Sequence, residues 1–216
     1  DKSISNRQAH YSMIGSSLCI ILLLAVFFLY LNTYRRKLLD KLRHIFFFTI
    51  LMAIIIAVAA FTLRYAPTGF IYIVPFTWCP IIARVFYDSR TAIFVHLITI
   101  FIVSLAVPAP YLFILIQFVV GVIAVISLRD MTQRAQLAQT AAFILLTYSI
   151  LYTAATFLMA GNISDIDYRY YIYFAINAVL VICSYGLIFL FERCFGLISN
   201  ITLVELTNVN SNLMLA

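Results

Sequence analysis

Seven apolar runs of membrane-spanning length follow one another along almost the whole chain, and no water-soluble fold has an interior large enough to hide them. A helix needs about 20 mainly apolar residues to cross roughly 30 Å of hydrocarbon while satisfying its own backbone hydrogen bonds. Read between charges, prolines and glycines, the runs predict helices at Met13 to Leu31, Ile45 to Leu63, Phe70 to Tyr87, Thr91 to Val107, Tyr111 to Leu128, Ala135 to Ala160 and Tyr170 to Phe195. The connections Arg64 to Gly69, Asp88 to Arg90 and Pro108 to Pro110 are too short to hold a domain, so consecutive helices are antiparallel neighbours. The expected fold class is an all-α integral membrane protein, a seven-helix transmembrane bundle spanning residues 1 to 195, with the bilayer as its first partner.

The formal net charge of +6 would point a soluble protein toward nucleic acid. Here the cations report orientation instead, and no nucleic-acid partner is expected. Ten of the fourteen Lys and Arg fall on one side of the predicted bundle: Arg35, Arg36, Lys37, Lys41, Arg43, Arg84, Arg90, Arg129, Arg134 and Arg193. The other side holds Lys2, Arg7, Arg64 and Arg169 beside Asp165 and Asp167. The positive-inside rule makes the first side cytoplasmic, which puts the N-terminus outside and the C-terminus in the cytoplasm.

Residues 196 to 216 alternate apolar with polar side chains, as Leu197, Ile198, Ile201, Leu203, Val204 and Leu206, the spacing of an amphipathic cytoplasmic linker. The chain is read as severed at both ends, with a cytoplasmic domain expected beyond Ala216 and an outer one before Asp1.

Chemistry requires ionisable groups at workable spacing, and the sequence supplies no catalytic or metal constellation. His10 and His44 fall at the interface. His96 lies inside the fourth span, where an ionisable group is costly and needs a polar partner such as Gln117 or Tyr148. Gln117 and Asn177 are the other strongly polar residues at depth, suited to hydrogen bonds between helices. Pro75 and Pro80 flank Trp78 in the third span and remove two helical hydrogen bonds, so a bend or hinge is expected there. Arg84 is placed one turn before that span ends, to snorkel toward phosphate or to pair with Asp88 at i+4. Glu192 and Arg193 close the last span. Tyr168, Tyr170, Tyr171 and Tyr173 read as an aromatic belt, and the four cysteines as small packing residues.

Three stretches together resemble the membrane part of the bacterial seven-transmembrane receptors with an intracellular HD hydrolase, the PgpH type. They are YSMIGSSLCIILLLAVFFLYL from Tyr11, FIYIVPFTWCPIIARVFYDSRTAIFVHLITIFIVSL from Phe70, and the exit FERCFGLISNITLVELTNVNSNLML from Phe191, where an E-x-x-F pattern precedes an LxEL segment. The resemblance implies an extracellular sensor domain and a cytoplasmic HD phosphodiesterase that hydrolyses cyclic di-AMP with a bound metal pair. It makes this fragment a non-enzymatic transmitter without a cofactor of its own, in the bacterial inner membrane, with Glu192, Arg193 and Glu205 as coupling positions at the exit. A small-molecule ligand outside or within the bundle and a homodimer are further partners to consider. The rival readings are a small-solute transporter and a passive membrane anchor.

Overall fold

The computed structural model describes residues 2–128, 135–160 and 166–197, and these are helical with short turns between. The order is α1 Lys2–Tyr34, the single turn α2 Arg36–Leu39, α3 Leu42–Tyr65, a 3-10 turn Phe70–Tyr72, α4 Trp78–Phe86, α5 Ser89–Ser104, α6 Pro110–Ser127, α7 Ala135–Ala160 and α8 Arg169–Phe195. Arg129, Arg134 and Leu203 to Leu206, with Glu205, lie outside the described residues.

Helices α3, α6, α7, α8 and the stretch of α1 from His10 to Tyr34 are long and apolar enough to cross a membrane. The other two expected spans are different, and their burial explains how. The third is not one helix: it is the 3-10 turn, an irregular passage through Val74 and Pro75, and the nine-residue α4. α5 has 16 residues, shorter than the others. Six of the nine residues in α4 and ten of the sixteen in α5 are buried. Irregular backbone is tolerated at membrane depth only where protein covers it, and here it lies in the middle of the bundle. α1 is the reverse case: Ile14, Leu18, Ile21, Leu22 and Leu29 are all more than half exposed and suit a lipid-facing surface.

Each helix end has a local cause. Pro110 opens α6 at its first position, where the missing N–H costs nothing. Gly69 (φ 104°) starts the 3-10 turn, and Gly196 (φ 58°, ψ 34°) stops α8, both in left-handed backbone that glycine adopts without strain. The fold thereby gains two ends. One gathers Arg35, Arg36 and Lys37 around Tyr87 and Asp88, with Arg90 close by, and is called the basic end below. The other gathers the Ala66–Gly69 and Ala106–Ala109 loops with Tyr152 and Tyr170.

Candidate functional site

The two prolines of the third span determine the centre of the molecule. Pro75 has no N–H, so the carbonyl of Tyr72 three residues earlier gets no turn partner, and Pro80 likewise fails the carbonyl of Phe76 four residues earlier. Buried carbonyls need donors, and in a membrane interior water is not there to supply them. The helices around the break do. Nδ2 of Asn177 on α8 donates to Tyr72 O at 2.9 Å and Val74 O at 3.0 Å, with Ile73 O at 3.5 Å. Phe76 O takes the Cys79 N–H at 3.1 Å, and Cys79 Sγ lies 3.5 Å from Thr99 Oγ1 of α5.

His96 joins α5 to α6. Its Nε2–H donates to the carbonyl of Gln117 at 2.9 Å, so the partner is the main chain of Gln117 and not its amide. The approach is close because α6 has Gly121 there: a Cβ at that position would stand 2.1 Å from His96 Nε2. The Gln117 amide is occupied elsewhere, its Oε1 accepting from Tyr148 of α7 at 2.7 Å. His96, Gln117, Tyr148 and Asn177 are each at most 1% exposed. Trp78, at the start of α4, donates its indole N–H to Leu180 O of α8 at 2.8 Å. The break is thus held by α5 and α8, and through His96 and Gln117 by α6 and α7.

Two aromatic clusters flank it. Away from the basic end, the fully buried Phe174 of α8 meets Tyr148 stacked at 5.0 Å, Tyr152 at 5.7 Å and Tyr72 at 5.9 Å between ring centres. At the basic end, the fully buried Phe47 of α3 meets Phe86 at 5.3 Å and Tyr87 at 5.2 Å, where α4 ends, and Phe191 at 5.3 Å and Phe195 at 5.5 Å, where α8 ends. Neither Phe47 nor Phe174 stands out in the sequence, because one Phe among 19 in apolar runs has no distinguishing neighbour.

The basic end corrects one expectation. Asp88 does not pair with Arg84: α4 stops at Phe86 and Asp88 is extended (φ −86°, ψ 160°), so the i+4 geometry of a continuous helix never forms. Arg84 instead donates to Tyr87 O at 3.4 Å. Asp88 is the residue before α5, where helix dipoles favour an anion, and it takes Thr91 Oγ1 at 2.6 Å and Arg35 Nη2 at 2.5 Å. Burial pushes the carboxyl up, but the bonds from Thr91 and Arg35 outweigh it and hold Asp88 below its usual 3.8, while the bond to Asp88 raises Arg35.

The sign for Asp88 follows from the lowered folded value. The stabilisation is complete at pH above the unfolded carboxylate value and drains away as pH falls through the lowered one. The melting temperature of the bundle in detergent should therefore lose no Asp88 contribution between pH 8 and 5. Asp88→Leu should cost about 1 kcal/mol, or about 2–4 °C, because the pair is partly exposed. A drop above 8 °C would show that this bond does more than join two elbows.

Glu192 is half-buried and Arg193 exposed in the last turn of α8. Tyr170 does not simply stand in an interfacial belt: it stacks on Tyr152 at 4.7 Å, while Tyr171 Oη lies 2.7 Å from Thr153 Oγ1. Among the described residues no three His, Cys, Asp or Glu side chains gather at metal-holding distance, and the cysteines are unpaired.

Buried helices around a polar, proline-broken centre, wrapped by long apolar ones, define a multi-span integral membrane protein. Residues 10–199 match the family model described as 7TM receptor with intracellular HD hydrolase, and the chain belongs to that family. No curated protein and no solved structure matches it.

Proposed function

We propose that this bundle is the relay of a sensor hydrolase, carrying a change at its outer face to a cytoplasmic HD phosphodiesterase that degrades cyclic di-AMP. The family supplies the receptor and the HD hydrolase; the direction, the outer sensor domain, the bacterial inner membrane and the substrate are our reading. The N-terminus is placed outside because the Lys and Arg of the first and third elbows converge on one end.

The observation that carries the relay is the grip of the broken third span on α8. Asn177 and Trp78 tie α8 to the break, and Phe47 ties the far end of α4 to Phe191 and Phe195, the last turns before the chain leaves the bundle. A displacement of the 3-10 turn therefore has rigid contacts through which to move the exit of α8. Proximity alone does not establish such coupling, and a shift in a two-state equilibrium does. The metal pair that the hydrolysis calls for is assigned in this reading to the HD domain. The chain's own part is positional.

In the intact receptor in lipid nanodiscs, Trp78→Phe removes the bond to Leu180 and Phe47→Leu loosens the aromatic cluster. Each should change cyclic di-AMP turnover at least threefold, and the pair should erase the difference between receptors with and without the outer domain. Equal turnover in all variants would overturn the relay. Absence of cyclic di-AMP hydrolysis in every preparation would overturn the substrate.

A further inference from the structure

The end of the bundle opposite the basic loops contains a partly enclosed cavity of about 300 Å³, at the small end of the range for small-molecule sites, roughly 300–1,000 Å³. Its walls are largely apolar, including Leu63, Ile71, Val107 and Leu112, and among the described residues no Lys, Arg, Asp or Glu lines it. A charged ligand would lose its hydration there and gain no counter-charge. Three tyrosines, Tyr72, Tyr152 and Tyr170, join Thr62 and Thr68 as its polar side chains, and the Thr62 hydroxyl is already given to Val58 O at 2.8 Å.

Their hydroxyls are underused. Tyr152 Oη reaches Asp167 O at the long distance of 3.5 Å and interacts with the Thr156 side chain, whereas the hydroxyls of Tyr72 and Tyr170 bond to no described group. Tyr72 is only 7% exposed, so its hydroxyl faces little besides this space. Tyr170 Oη is pressed against Gly69, where a methyl group would come within 3.1 Å of it. Rings of Tyr72 and Tyr170 stand at 63° with centres 5.7 Å apart, while Tyr152 lies nearly parallel to Tyr170. The faces of that parallel pair are spent on each other, so the three rings do not form the open cage that holds a quaternary ammonium ion.

We propose that this cavity is a binding site for a small uncharged ring compound carrying an acceptor oxygen. The phenol oxygen donates better than it accepts, because its lone pair is shared with the ring, so two partnerless Tyr hydroxyls select an acceptor. Apolar walls with a few fixed polar groups are the usual build of such a site. Binding does not depend on the relay: the cavity would fill in a bundle that transmits nothing.

The test uses the full receptor in nanodiscs with 7-methoxycoumarin, a neutral bicyclic probe with acceptor oxygens and no donor. Saturable binding above the linear lipid background is expected. The double variant Tyr72→Phe with Tyr170→Phe, which keeps both rings, should weaken it at least tenfold. Ala106→Trp, at the exposed rim, should abolish it by filling the mouth, and it guards against misfolding of the tyrosine variant. Benzoate and tetramethylammonium should fail to compete. No saturation by the native protein, an unchanged affinity in both variants, or competition by either ion at the probe's own affinity would each overturn the site.

Discussion

Substituting leucine for Asn177 should lower the unfolding free energy of the bundle by about 2 kcal/mol, read from reversible unfolding in bicelles. Leucine occupies a similar volume, so little of the loss comes from a cavity. The loss comes from Tyr72 O, the nearest acceptor of the carboxamide, since Val74 O keeps the Phe76 N–H at 2.8 Å. Each buried acceptor left without a donor costs about 1–3 kcal/mol, and Pro75 guarantees that the backbone of the 3-10 turn cannot replace the bond to Tyr72 O. An effect below 1 kcal/mol would mean that the broken segment satisfies itself by shifting, and the part assigned to Asn177 would be lost. Asn177→Ser makes a useful companion, because its shorter side chain keeps a donor but cannot span the same carbonyls.

The second large effect belongs to Gly121. Alanine there should destabilise by about 3 kcal/mol, near the upper end for overpacking a close-packed interior, since its Cβ would stand 2.1 Å from a nitrogen fixed between α5 and α6. Adding His96→Ala should return much of the loss, because the clash disappears with the ring. The double variant is expected to fall short of the sum of the singles by at least about 1 kcal/mol, as residues in direct contact do. Strict additivity would show that Gly121 matters for some reason other than His96.

Both predictions concern residue types whose roles were unequally visible beforehand. Apolar runs between charges and prolines located the helices, because a hydrocarbon environment acts on each run separately and leaves its mark in one dimension. The same separateness put Pro75, Pro80, His96, Gln117 and Asn177 in view as residues out of character with their surroundings. Their pairing was not visible. That a carbonyl orphaned by Pro75 meets Asn177, more than 100 residues on, depends on how α8 packs against the break, and no local spacing encodes it. Gly121 gave no signal for the same reason: its function is the absence of a side chain opposite His96 on another helix. The i+4 reading of Arg84 and Asp88 failed where it assumed a helix continuing past Phe86, and Arg35, 53 residues earlier, took the place instead. The third span was expected to bend; that it would be short, broken and central follows from its burial among α3, α5, α6 and α8, which composition does not reveal.

The left-handed glycine that ends α8 sets what kind of movement such a bundle can export. A helix that ran on unbroken would push whatever follows it along its own axis, like a piston. At Gly196 the chain leaves that axis with φ 58° and ψ 34°, two residues past Cys194 and directly after the ring of Phe195 that Phe47 holds. In the relay proposed above, an axial slide of α8 would meet a bend at Gly196 instead of a straight continuation, and the bend sits directly after the ring that Phe47 holds.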